Sequence, residues 1–171
     1  LIGITFDPHP ATVLRSGSEP LRLVSREDKV QMLYAAGADQ VVVLEPHPSF
    51  LSKTAEEFVD WLTSQYAPLV VVEGPDFRFG KDRTGDVALL RQLGQQKDFE
   101  VVQIGQVEAA LSDLLMVSVG SSLVRWLLAH GRVADAATCL GRAYHVVGRV
   151  VRGEQRGRAL GFPTANLDAQ D

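Results

Sequence analysis

Short apolar runs spaced between helix-start signals restrict this chain more than any other feature. Residues 1–6, 40–44, 69–72 and 100–104 form such runs, and two contain three consecutive valines, Val41-Val42-Val43 and Val70-Val71-Val72. They are too short for buried helices and lack polar alternation, so they read as strands covered on both faces. Between them stand two capping-box signatures, Ser25-Arg26-Glu27-Asp28 and Thr54-Ala55-Glu56-Glu57. In each, a hydroxyl accepts from the backbone and an acid sits three residues on. The first predicts a helix to about Ala36, stopped by Gly37, and the second a helix with Phe58, Leu62 and Tyr66 on one face. Asp86 caps a third through Leu93, and two short helices are expected over about 122–129 and 133–140. Strands alternating with helices imply parallel strands joined by crossovers. Residues 1–140 are therefore expected to form an α/β domain with a doubly wound parallel sheet.

The pattern changes at Gly141-Arg142. Residues 146–153 read as a strand with turn glycines, and Gly157-Arg158-Ala159-Leu160-Gly161-Phe162-Pro163 shows no helical period. A second domain of β character is expected over 141–171. About 30 residues cannot bury a core of their own, so it either packs on the first domain or is a truncated end.

Ligands of open α/β sheets bind at the carboxyl ends of the strands, and polar clusters follow three of the predicted elements. Asp7-Pro8-His9-Pro10 is either a turn or the rigid rim of a pocket with His9 as a phosphate donor. Glu73 to Asp86 is punctuated by glycine and holds Asp76, Phe77, Arg78, Phe79, Lys81 and Arg83. Its two rings are either core plugs or the walls of a site for a planar, phosphorylated ligand, which Arg78, Lys81 and Arg83 suit as cations. Val119-Gly120-Ser121-Ser122-Leu123-Val124-Arg125 enters a helix. There the free N–H groups, the Ser121 and Ser122 hydroxyls, and Arg125 one turn down would grip phosphate, unless the serines are only a cap. A fourth cluster, Gly161-Phe162-Pro163-Thr164-Ala165-Asn166-Leu167, places two hard oxygen donors, Thr164 and Asn166, two positions apart. They suit Mg²⁺, although the stretch also reads as a turn.

Thr5 to Pro10, Glu73 to Lys81, Ser121 to Arg125 and Gly161 to Asn166, in that order, resemble the bacterial bifunctional riboflavin kinase/FAD synthetases over nearly the whole chain. The resemblance implies a Rossmann-like nucleotidyltransferase domain followed by the start of a β-barrel-type riboflavin kinase domain. It implies transfer of AMP from ATP to FMN, giving FAD and pyrophosphate, and phosphorylation of riboflavin by ATP, both with Mg²⁺. Ser121, Ser122 and Arg125 then match the signature that binds ATP phosphates. Asp76 and Phe77 match the loop forming the flavin and ATP pocket, and Asp7 to Pro10 match the loop near the flavin. Thr164 and Asn166 match the kinase motif for Mg²⁺ and ATP phosphates.

The sequence also departs from that pattern. The family's His-x-Gly-His element, upstream of the Phe-Asp-Pro-His-Pro segment, has no counterpart, and neither has the kinase glutamate beyond Asn166. Gly120 stands where serine is more common and Leu123 where a basic residue is common. The expectation is a fragment that catalyses neither reaction alone. Adenylylation of another acceptor, such as nicotinamide mononucleotide or phosphopantetheine, and non-catalytic binding of flavin or nucleotide are the alternatives.

The net charge of −4 supplies no field for nucleic acid or anionic membrane. No apolar run reaches the roughly 20 residues of a membrane span, and nothing like a secretory leader opens the chain. The single cysteine, Cys139, is expected as a small buried hydrophobe. A cytoplasmic protein with small-molecule partners is the resulting expectation. His47 and His130 are expected as surface residues.

Overall fold

The computed structural model describes residues 1–14, 20–153, 156–162 and 164–168. Pro163, part of the fourth cluster, lies outside the described residues. In chain order the elements are β1 (Ile2–Phe6), α1 (Ala11–Leu14), α2 (Arg26–Ala35), β2 (Gln40–Leu44), α3 (Pro48–Leu51), α4 (Ala55–Tyr66) and β3 (Val70–Glu73). A 3₁₀ turn (Lys81–Arg83) leads to α5 (Val87–Gln96), β4 (Glu100–Gln103), β5 (Glu108–Ala110) and β6 (Met116–Ser118). Then come α6 (Ser121–Ala129), α7 (Val133–Leu140), β7 (Arg149–Val151), α8 (Arg156–Ala159) and β8 (Asn166–Asp168).

The caps set the helix boundaries. Ser25 Oγ accepts from Asp28 N–H, and Asp86 Oδ1 accepts from Leu89 N–H. At α4 the box closes both ways: Thr54 Oγ1 accepts from Glu57 N–H and Glu57 Oε2 accepts from Thr54 N–H. The core face of α4 is Ala55, Val59 and Leu62, so Phe58 and Tyr66 sit to its side.

Parallel pairing holds, in two separate two-stranded pairs rather than one ladder. β1 pairs with β2, Ile2 opposite Gln40, and β3 pairs with β4, Val70 opposite Glu100. Among the described residues no ladder joins the two pairs. The expectation of strands covered on both faces is corrected. Gly3 meets Leu33 and Ala38 beneath α2, and Val71 and Val101 pack on the α4–α5 core. The alternate positions Ile2, Ile4, Val70, Val72 and Val102 are exposed. The β1–β2 pair is covered on one face by α2, and the β3–β4 pair on one face by α4 and α5.

Two cores result. Ala55, Val59, Phe79, Leu90, Leu93 and Phe99 form one, between α4, α5 and the β3–β4 pair. Leu111, Val124, Leu127 and Ala136 form the other, under the unforeseen antiparallel hairpin β5–β6. Asp135 fastens that hairpin to α7: its carboxylate accepts from Ser112 N–H (2.8 Å), Ser112 Oγ–H (3.1 Å) and Arg132 Nε (2.7 Å). Cys139, expected as buried, is half-buried at the edge of this core. Helix α7 ends at Gly141, which is left-handed (φ 67°).

Beyond Gly141, β7 and β8 pair antiparallel and are exposed along their length. The one-turn helix α8 corrects the expectation that no helix follows. A single turn is too short to print a period in the sequence.

Candidate functional site

Two cavities flank the carboxyl end of β1. The first, about 1280 Å³, opens between the end of β1, the 48–53 segment after β2 and the 77–83 loop after β3. All three segments follow strands at their carboxyl ends, where the crossover geometry leaves backbone and side chains free to face a ligand. Five phenylalanines line it: Phe6, Phe50, Phe58, Phe77 and Phe79. Phe77 and Phe79 stack with centroids 5.5 Å apart, and Phe50 meets Phe6 edge-on at 5.8 Å. Five cations share the lining, Lys29, Lys53, Arg78, Lys81 and Arg83, against one carboxylate, Asp82. Aromatic walls with cations at the mouth suit a planar anion.

The second cavity, about 960 Å³, lies between the start of α2, the side of α6 and residues 144–149. Asp7, Arg22 and Arg125 line it. The partition between the cavities is the end of β1. Lys29 Nζ donates to the Phe6 carbonyl at 3.0 Å and lies 4.0 Å from Asp7, which also faces Arg22 at 3.5 Å. Asp7 is thus held between two cations.

The predicted residues are divided between these places. His9, Pro10, Phe77, Arg78, Phe79, Lys81 and Arg83 meet in the first cavity. His9 Nδ1 accepts from Ala11 N–H, and the Asp7–Pro8 peptide is cis. Phe79 has two roles, since it is also 6% exposed and part of the α4–α5 core. Arg78 turns one nitrogen back to the Phe77 carbonyl. Asp76 accepts from Gln106 and, like Pro8, lines neither cavity.

The expected phosphate grip is split. Ser121 and Ser122 are exposed at the open start of α6, whose cap residue Gly120 makes no side-chain bond, and they line neither cavity. Arg125 faces the second cavity and its Nε donates to the Leu21 carbonyl. Thr164 and Asn166 are exposed on the β7–β8 side and line neither cavity. Of the two histidines expected at the surface, His47 lies beside Glu45 and His130 stacks on Trp126.

Two cations of the first cavity, Lys29 and Lys53, were not foreseen. Lys29 lies on α2, facing back to the strand end. Lys53 follows β2 just as the foreseen clusters follow β1 and β3, and the strand-end rule would have found it. Glu73, which opens the foreseen 73–86 cluster, closes β3 and lines neither cavity, and burial pushes its carboxyl up to about 7.

A family model described as FAD synthetase matches residues 1–114, and one described as riboflavin kinase matches residues 140–171. The bifunctional riboflavin kinase/FMN adenylyltransferase of Escherichia coli K12 is 33% identical over 164 residues, 95% of this chain and 50% of that protein. The protein of the same name from Buchnera aphidicola subsp. Schizaphis graminum is 32% identical over 165 residues, 96% of this chain and 52% of the relative. The one from Listeria monocytogenes is 32% identical over 166 residues, 96% and 51%. The chain spans about half the length of the curated relatives it matches. Among solved structures, a Streptococcus pneumoniae protein described as a macrolide-efflux protein superimposes with a TM-score of 0.82 at 27% identity, over 99% of this chain and 54% of that one.

Proposed function

The chain belongs to the FAD synthetase family, and from that premise we propose that residues 1–140 act, within a whole protein, in the transfer of AMP from ATP to FMN. The fold would be the Rossmann-like nucleotidyltransferase fold. Residues 141–171 open a riboflavin kinase domain that phosphorylates riboflavin with ATP. The observation that carries the reading is the first cavity, where five phenylalanines and five cations converge on the carboxyl ends of parallel strands.

Adenylyl transfer asks little covalent chemistry of the protein. The FMN phosphate, with a second pKa of about 6, is largely ionised near pH 7 and attacks without a general base. The protein must bring two anions together in line and offset the charge growing on the α-phosphate and the leaving pyrophosphate. In our reading the rings of Phe77 and Phe79 hold the isoalloxazine, and Arg78, Lys81 and Arg83 receive its phosphate. His9 and Pro10 close the rim, with Asp7 fixing the end of β1 through Lys29 and Arg22. Asp76 shapes the loop through Gln106. Arg125 and the hydroxyls of Ser121 and Ser122 take the ATP phosphates, from the other side of the β1 partition.

Mg²⁺ fits the donors that Thr164 and Asn166 offer. Both are neutral hard oxygens on an exposed surface, leaving most of an octahedral shell to water and phosphate. Among the described residues no cluster of acids, histidines and cysteine forms a protein-only metal cage. When bound, the ion supplies charge neutralisation at the phosphates of the kinase reaction.

The test is FAD formation by the whole protein. Replacing Lys81 and Arg83 together by alanine lowers kcat/KM for FMN by roughly 10²-fold, the scale on which preorganised charged donors act. Phosphorylation of riboflavin by the same variant stays unchanged. FAD formation at the parent rate would remove the first cavity from the assignment.

A further inference from the structure

One cation held against the foreseen phosphate loop comes from another part of the chain. Lys53 precedes Thr54, whose reciprocal capping box with Glu57 fixes the turn at the start of α4. The Lys81 N–H donates to the Lys53 carbonyl at 2.6 Å, across 28 positions of sequence. Beside that bond sits Gly80, left-handed at φ +73°, where an added Cβ would lie 2.8 Å from the Ala55 nitrogen and 2.9 Å from its Cα. Only glycine allows the 79–81 strap so close to the 53–55 turn. The backbone therefore brings Lys53 and Lys81 together in the lining of the first cavity, which Arg83 shares.

These three cations lack compensation. Among the described residues, no ion pair or side-chain hydrogen bond engages Lys53 Nζ, Lys81 Nζ or the Arg83 guanidinium. Lys97 and Arg132, away from the cavity, face Asp60 and the Asp113–Asp135 pair. The one carboxylate of the lining, Asp82, pairs with none of them, and the Glu57 carboxylate is engaged by Thr54 N–H. Like charges held by backbone bonds repel one another, and a bound dianion relieves the repulsion. The adjoining wall is the Phe77–Phe79 stack, so the anion belongs to a ligand with a flat aromatic part.

We propose that Lys53 is a specificity-determining residue whose ammonium, set beside Lys81, takes the phosphate of FMN and so selects FMN over riboflavin. This rests on reading the first cavity as the flavin site. It adds to that reading the group that tells the phosphorylated flavin from its precursor.

Trp61, 4.7 Å from the cavity residue Phe50, provides the signal, with Trp126→Phe removing the chain's other tryptophan. The chain is titrated with FMN, riboflavin and ATP, and quenching of Trp61 is followed. In Lys53→Met, FMN affinity is expected to fall about tenfold, the factor one charge-assisted hydrogen bond supplies. Riboflavin affinity stays constant, Lys53→Arg restores FMN binding, and the preference shrinks with added salt. Lys97→Met, which removes a paired lysine elsewhere, changes none of these.

An unchanged FMN-to-riboflavin ratio in Lys53→Met overturns the role of Lys53, as does an equal loss of both flavins. A loss confined to ATP gives the lysine to the nucleotide and overturns it too. If the parent binds neither flavin, the cavity reading falls, and this proposal with it.

Discussion

Phe79 can be tested as core and as site in one experiment. Its ring is 6% exposed, lies 5.2 Å from Phe58 and 5.5 Å from Phe77, and covers Gly85 so closely that a Cβ there would come within 2.7 Å of it. Its backbone also exchanges both hydrogen bonds with Gly85. Truncation to alanine removes a ring enclosed by α4, α5 and the 77–85 loop, and the capped helices leave little room for collapse. Core Phe→Ala changes cost about 3–5 kcal/mol. A chain of this size loses about 2–4 °C for each kcal/mol, so the midpoint should drop by about 10 °C. Urea unfolding followed by far-ultraviolet circular dichroism measures the loss directly. Phe79→Leu should recover most of it, since much of the volume returns. A loss below about 1 kcal/mol, together with abolished flavin binding, would refute the core role and make the ring a wall for ligand alone.

Two carboxylates give opposite pH signatures. Glu73, raised by burial to about 7, binds a proton in the folded chain that the unfolded chain releases near pH 4. Stability therefore falls as pH rises from about 4 through 7, and Glu73→Gln should melt higher than the parent at pH 8 and level with it at pH 4. A parallel pair of melting curves across that range would exclude the raised value. Asp135 is the reverse case: the Ser112 backbone N–H, and then Arg132, hold its carboxyl below the usual range. Its contribution is present above about pH 4 and is lost as pH falls through the lowered folded value. Asp135→Asn should therefore lower the melting point at pH 7 and leave a shallower decline in acid, and an unaltered acid profile would show the latch on Ser112 to be idle.

Much of this molecule was legible as local chemistry. The Thr54–Glu57 box, the Asp86 cap and the valine runs act within a few residues, so their structural result follows from neighbours in sequence. The ordered clusters after the strands were legible for the same reason, because crossover connections put strand-end loops at one edge. The hairpin β5–β6 escaped, since its strands are three residues long and its turn carries none of the Asn-Gly or Asp-Gly signals of tight hairpins.

Tertiary structure alone decided which clusters share a cavity. Sequence types a residue and places it on an element, but the direction of a side chain depends on what packs behind that element. Ser121, Ser122 and Arg125 are one motif in sequence, yet the turn of α6 sends the guanidinium toward Leu21 and leaves the hydroxyls at the helix mouth. Lys53 and Lys81 are 28 positions apart, yet one backbone bond and a glycine too small to hold the loops apart set them side by side.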